Sequence, residues 1–213
     1  MAAAELVRNG SAVADIGCDH AHLAVYLVLS GRCSRVIASD VRPGPLASAK
    51  ANVVSAGLSD CIDCRLSDGL AAFAPGEAQD FVFAGMGGEL IVRLLQQCPF
   101  SLQDSALHFV FQPMTHTEVL AHYLFANGFS VKKRVFVQEG KHFYNVFDAV
   151  YTGRAQPVSE LETYLFNIDE NTLHEPPVRG YLLHLLHYLK NKQKSGGGCS
   201  ACIEWIEEHY DNG

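Results

Sequence analysis

The chain has 213 residues, 48% of them hydrophobic and 18% charged, a balance that supports one packed α/β core with a small appendage and excludes a disordered or fibrous chain. A formal net charge of −7 argues against a surface that binds nucleic acid indiscriminately and leaves room for a local basic patch. The longest apolar run, residues 21–29, falls far short of the ~20 residues that span a bilayer, and Met-Ala-Ala-Ala-Glu lacks the basic start of a secretory leader, so a cytoplasmic protein with no membrane partner is expected.

In chain order, residues 11–17 form a short apolar run ending in Gly, a buried first strand, and residues 20–29 carry a helical pattern closed by Ser30-Gly31. Residues 35–40 read as a second buried strand. Residues 43–56 read as a helix with Pro at its start and Gly57 past its end. Strands over 61–66 and 80–84, a helix over 89–97 stopped by Pro99, a strand over 108–112 and a helix over 117–126 ended by Asn127-Gly128 complete an alternation that implies a parallel sheet with right-handed crossovers. The next two strands, 130–137 and 143–151, are separated only by Gln-Glu-Gly-Lys-His, too short for a crossover helix, so they pair as an antiparallel hairpin. That ending is usual for Rossmann-like class I methyltransferase sheets, whereas nicotinamide dehydrogenases continue with parallel strands. After Arg154 the pattern turns helical: 157–166, 180–194 and 200–210, with a flexible Ser195-Gly-Gly-Gly198 break. The expected division is a cofactor-binding methyltransferase domain over 1–154 and a helical C-terminal domain over 155–213.

Seven scattered cysteines suit free thiols in a reducing compartment. Cys61-x-x-Cys64 and Cys199-x-x-Cys202 invite a zinc reading, but Cys61 to Leu66 reads as a strand, where positions i and i+3 point to opposite faces and cannot chelate one ion, and no metal is expected.

Ligands of an open parallel sheet bind at the carboxyl ends of the strands, where the strand order reverses. Asp15-x-Gly17-x-Asp19 stands at that point after the first strand. Gly17 lets the backbone turn sharply, and an acid stands where a dinucleotide motif has its second Gly. An acid there suits the sulfonium and amino group of S-adenosyl-L-methionine and repels a pyrophosphate. The alternative is that Asp15 and Asp19 only cap the helix. Asp40 ends the second strand, where a carboxylate can accept both ribose hydroxyls or cap the next helix. Ser67-Asp68-Gly69 follows the third strand, where an Asp can accept from an adenine amino group. Ala84-Gly85-Met86-Gly87-Gly88 follows the fourth, and its small residues let a flat substrate approach the backbone. His20 and His22 are either ligands or packing residues.

Val13-Ala-Asp-Ile-Gly-Cys-Asp-His-Ala-His-Leu23, Ala84-Gly-Met-Gly-Gly88, Phe111-Gln-Pro113 and Gln138-Glu-Gly-Lys-His-Phe-Tyr144 resemble, in this order, the signatures of the bacterial tRNA (adenine(22)-N1)-methyltransferases, the TrmK-like group. The match covers about residues 1–152. The resemblance implies methyl transfer to N1 of an adenine in the D arm of tRNA and a C-terminal helical, coiled-coil-like domain that helps hold the RNA. The sequence departs from the family pattern in the short segment Met1–Gly10 before the first strand, in Met114 where Asn commonly follows Gln-Pro, and in the break at Gly196-Gly-Gly198. On this reading Asp15, Gly17, Asp40, Asp68, Gly69 and Gly85 hold the cofactor, with Asp19 and His20 beside it. Asp19, His20, Met86, Gly87 and Gln112 line the base pocket, and Lys132-Lys133-Arg134 or Lys190, Lys192 and Lys194 meet the RNA. The alternatives are a methyltransferase of the same fold acting on a small molecule or protein, and a cofactor-binding protein without catalysis. Oligomeric state, monomer or weak dimer, is left open.

Overall fold

A computed structural model describes residues 2–169, 171–194 and 196–210. Ser195, the first residue of the expected glycine-rich break, lies outside the described residues, as does Met1. A short helix α1 (Ala2–Leu6) precedes the first strand β1 (Val13–Ile16). There follow α2 (His22–Leu29), β2 (Val36–Asp40), α3 (Pro43–Ser55), β3 (Ile62–Leu66), β4 (Asp80–Met86), α4 (Gly88–Gln96), β5 (His108–Pro113) and α5 (Thr117–Ala126). The hairpin strands are β6 (Phe129–Glu139) and β7 (His142–Tyr151), and the chain closes with α6 (Glu160–Leu165), α7 (Pro176–Lys194) and α8 (Ser200–Tyr210).

The strands form one seven-stranded sheet in the order β3-β2-β1-β4-β5-β7-β6. The first five strands are parallel, and β7 runs antiparallel to both β5 and β6, as the short connection between the hairpin strands required. The order reverses between β1 and β4, which opens a crevice above their carboxyl ends. β1 and β2 are buried along their whole length, because helices cover both faces of a parallel sheet. One core layer is built around Phe81, Phe83, Phe109, Phe111 and Phe147, whose rings meet at 5.5–5.6 Å between neighbouring strands and at 6.1 Å along β5. The other layer is made of smaller residues, including Ala24, Leu27, Val36 and Val82.

The C-terminal helices have a cluster of their own around Leu182, Leu189, Cys202 and Ile206, with Phe136 and Phe143 of the hairpin packed against it. Gly180 permits that docking: a Cβ on it would lie 2.1 Å from Phe143 Cε1, so only Gly lets α7 settle on the β7 ring. Arg134 then fastens the joint, and this corrects its expected place on an RNA-binding surface. It is buried, donates to the carbonyls of Tyr164 (3.1 Å) and Phe166 (2.8 Å) and to the Tyr181 hydroxyl (3.0 Å), and lies 3.9 Å over the Phe166 ring. No helix among the described residues is long and apolar enough to cross a membrane.

Candidate active site

The loop after β1 is pinned before it turns. The N–H groups of Gly17 and Cys18 both donate to Ser39 O at 2.8 Å, tying the end of β1 to β2. Gly17 then turns with φ +74°, and a Cβ there would lie 2.7 Å from Met86 Cε, so the β1 and β4 loops meet across it. Asp19 (φ +49°) and Ala21 (φ +56°) also hold left-handed conformations, at about 1–2 kcal/mol each for residues with a Cβ. Strain of this kind persists where surrounding bonds over-determine the backbone. Here the Asp40 carboxylate supplies them: Oδ2 accepts the Asp19 N–H at 3.2 Å and Oδ1 accepts the Arg42 N–H at 2.8 Å. Asp40 thus braces two loops. It does not cap α3, whose N-cap is Arg42, followed by Pro43.

Above these loops lies a cavity of about 330 Å³, within the range of small-molecule sites. Its walls come from four successive strand ends: Ile16 and Gly17, then Asp40 to Arg42, then Ser67 to Gly69, then Ala84 to Met86; Leu90, Arg93 and Leu94 of α4 close it. Of the residues expected at the site, Gly17, Asp40, Asp68, Gly69, Gly85 and Met86 line this one space. Asp19 and His20 stand at its rim, both exposed, with His20 Nε2 and Arg42 Nη2 at 3.5 and 3.7 Å from the Asp19 carboxylate. Gln112 stands behind the fourth loop, where its Oε1 accepts the Gly85 N–H at 2.8 Å. Gly87 faces the β5 side, with Thr115 Oγ1 3.0 Å from where its Cβ would be.

Asp15 does not line the cavity. Its carboxyl is 4% exposed, lies beneath the first turn of α2 and takes a hydrogen bond from the Ala24 N–H, while Oδ2 has no partner. Burial pushes its pKa up to about 7. The side chain is therefore a buried acid short of compensation, one layer below the Gly17 turn.

Two cationic walls were missed in the sequence. Arg42 reaches Asp40 and Asp19, and Arg93 pairs with Asp68 at 3.3 Å. The signal for Arg42 was its position two residues past a strand end. Arg93 is brought in by a contact 25 residues away that no local pattern reports. Three carboxylates at or beside the cavity outnumber the two guanidiniums and, with Ile16, Leu90 and Leu94 as apolar walls, fit a nucleoside that donates hydroxyl and amino hydrogens and carries positive charge. They disfavour a pyrophosphate.

The basic residues expected to meet RNA from the C-terminal helices stand close to acids or amides. Lys190 is paired with Glu207, Lys192 Nζ is 3.8 Å from Glu118, and Lys194 donates to Asn191. Lys132 and Lys133 are exposed. Among the described residues no group of three or more His, Cys, Asp or Glu side chains could hold a metal ion.

Residues 1–147 match the family model described as a methyltransferase domain. The tRNA (adenine(22)-N(1))-methyltransferase of Bacillus subtilis is 35% identical over 157 residues, 70% of this chain and 66% of that enzyme, so the matched stretch spans just under two thirds of the relative's length. Among solved structures, Streptococcus pneumoniae Sp1610 in complex with S-adenosyl-L-methionine superposes with a TM-score of 0.82 at 27% identity, covering 98% of this chain and 96% of the other. The M1A22 tRNA methyltransferase TrmK of B. subtilis superposes with a TM-score of 0.74 at 23% identity, covering 99% and 93%, a likeness of fold.

Proposed function

This chain belongs to the methyltransferase-domain family, and on that footing we propose that it is a TrmK-like, S-adenosyl-L-methionine-dependent tRNA methyltransferase acting on N1 of adenine 22. The observation that carries the reading is the acid-lined cavity over four consecutive strand ends, with the Gly-Met-Gly-Gly turn as its fourth wall. Its support is the named activity of the B. subtilis relative and the cofactor complex of the S. pneumoniae neighbour. The division into a catalytic part over 1–154 and a helical part over 155–213 that holds the RNA, and a place in the cytoplasm, belong to the same proposal.

Bound S-adenosyl-L-methionine supplies an electrophilic methyl group on a sulfonium sulfur that leaves as a neutral thioether. The residues of the chain bind and orient. Asp40, braced by two backbone N–H groups, retains lone pairs for a pair of ribose hydroxyls. Asp68, held by Arg93, accepts from an adenine amino group, and Leu90 and Leu94 flank the ring. Gly17 keeps the floor open. Asp15, beneath it, contributes negative potential toward a cationic ligand when ionised.

Adenine N1 attacks through its ring lone pair, so no strong base is required. The base must leave its pair and lie in line with the methyl group. Met86 and Gly87 offer a flat platform, and Gln112 fixes that platform by accepting the Gly85 N–H. Asp19, exposed at the rim, accepts from the exocyclic amino group of the incoming base and stabilises the positive charge that N1-methylation places on the ring. Because N1-methylation blocks Watson–Crick pairing, reverse transcription across treated, initially unmodified tRNA should stop beside adenine 22 only when cofactor is supplied. A stop at another position would overturn the assignment of the base, and no stop would overturn N1 methylation.

A further inference from the structure

A second cleft of about 380 Å³ opens on the other side of the Gly-Met-Gly-Gly turn, between β7, the start of α5 and α7. Backbone bonds join the two sites: Met114 N–H donates to Met86 O at 2.9 Å, and Gly88 N–H donates to Thr115 O at 2.8 Å. Residues 113–115 form the near rim of the cleft, so whatever occupies it sits beside the base that faces Met86 and Gly87.

The lining is aromatic. Phe143 and Tyr144 of β7 face Tyr164, Tyr181 and Tyr188 of the C-terminal helices. Tyr188 is 40% exposed, and His142 and His184 at the mouth are exposed as well. A packed joint between two layers hides such rings; here the Tyr188 ring stands at the entrance with Lys192 Nζ 5.6 Å over it, a cation–aromatic edge of the kind that meets a stacked base and its phosphate.

Two acceptors, Asn145 and Glu118, stand in the floor beside the hydroxyls of Thr115 and Thr117. Asn145 is 3% exposed; its Nδ2 donates to Thr117 Oγ1 at 3.3 Å, and its Oδ1 has no partner. Buried polar atoms are almost always paired, so an orphaned acceptor on the wall of a cleft calls for an occupant that donates. The amide torsion is broad, so a small rotation turns that oxygen toward the space. Glu118 adds a carboxylate, held by His116 Nδ1 at 3.4 Å and Lys192 Nζ at 3.8 Å. Flat faces over an acceptor edge select a planar, amino-bearing ring.

We propose that this cleft takes a second nucleobase of the RNA, a neighbour of the methylated adenine, and favours one with an exocyclic amino group (adenine, cytosine or guanine) over uracil, whose single N–H is flanked by two carbonyls that face the acceptors. The assignment rests on the tRNA reading above. It makes the C-terminal helices part of base recognition, since Tyr164, Tyr181, His184 and Tyr188 come from them. Two bases would be held on either side of one glycine turn, which keeps the methylated base out of its helix.

The test uses unmodified tRNA in which each nucleotide flanking the methylated adenine is replaced in turn by an abasic residue or by uridine. Wild-type protein should lose about tenfold in affinity at one abasic position and nearly as much with uridine there. Tyr188→Ala should bind the parental RNA about tenfold more weakly and no longer sense that abasic position. Asn145→Leu should lose only the discrimination against uridine. S-adenosyl-L-methionine affinity and melting temperature, measured alongside, establish that both variants fold. Equal losses for wild type and variants at every flanking position would overturn the cleft assignment and leave the tRNA reading standing. Failure of the wild type to bind the tRNA at all would overturn both.

Discussion

The two ends of the sheet carry buried carboxylates in opposite states. At the amino ends of β4 and β5, Asp80 has no exposed side-chain surface and is fully matched: it accepts from the Arg8 N–H and Nε at 2.8 Å and contacts His108 Nδ1 at 3.1 Å, while His108 Nε2 reaches Asp148 at 2.9 Å. At the carboxyl ends, Asp15 is equally buried and has an oxygen with no partner, and Asp40 faces an open cavity. Burial opposes ionisation at both ends. It is overcome at Asp80 by hydrogen bonds from His108 and Arg8, which hold that carboxyl below the usual range, and it prevails at Asp15. At one end of the sheet the buried carboxylate is matched for stability; at the other, Asp40 faces a cavity and Asp15 lies beneath it short of a partner.

That contrast can be broken by substitution. Asp80→Asn removes one of the two carboxylates that hold the buried His108 and the partner of the exposed Arg8, and urea unfolding should show a loss of about 3 kcal/mol, while cofactor affinity of the folded protein stays unchanged. The second test is pH. Burial disfavours charge on His108, but bonds to Asp148 and Asp80 outweigh it and lift its pKa to about 9. A folded pKa raised above the ordinary 6.5 gives stability that is complete below pH ~6.5 and lost as pH rises through about 9. The stability gap between wild type and His108→Gln should therefore shrink by about 3 kcal/mol between pH 6.5 and pH 10, at roughly 1.4 kcal/mol per pK unit. A gap that does not change with pH would place a neutral histidine in the network.

At the other end the effects fall on binding. Asp40→Ala should weaken S-adenosyl-L-methionine binding about 100-fold by calorimetry, worth about 2.7 kcal/mol, with a smaller loss of stability from the two released N–H groups. Asp15→Asn sharpens the comparison through its sign. Because the folded carboxyl titrates near 7, above the ordinary 3.8, its ionisation costs stability at pH 8. The amide should leave stability unchanged or raise it by up to about 1 kcal/mol, where the same change at Asp80 is strongly destabilising. Loss of several kcal/mol at Asp15 would show that its charge is compensated after all.

Much of this was legible in the sequence because it is periodic or punctuated. The β2–α3 boundary follows from Asp40 and Pro43, and the hairpin from a connection too short for a crossover. Gly17, Asp40, Asp68 and Gly85 were placed together by strand ends alone, since a parallel sheet brings those ends to one edge. The expected helix over 157–166 shrank to Glu160–Leu165, because Ser159 closes a capping box with Glu162. Helix α1 was not foreseen, since five residues without a cap leave no pattern.

Arg134 shows a subtler limit. Lys132-Lys133-Arg134 reads as one basic run facing RNA, but the β6–β7 register shifts between Val131 and Lys133, so two successive lysines stay outside and the arginine turns in. The aromatic cleft was invisible for a different reason. It joins residues 113–118, 142–145 and 164–188, and only the missing Cβ of Gly180 hints that α7 comes down on β7.

The central claim is that the carboxyl edge of this sheet moves a methyl group to adenine N1 in tRNA. The most direct measurement is nucleoside analysis of unmodified tRNA after incubation with the protein and methyl-labelled S-adenosyl-L-methionine. The account predicts label in 1-methyladenosine and in no other nucleoside. Label in a different nucleoside, or cofactor bound with no label in the RNA, would contradict it.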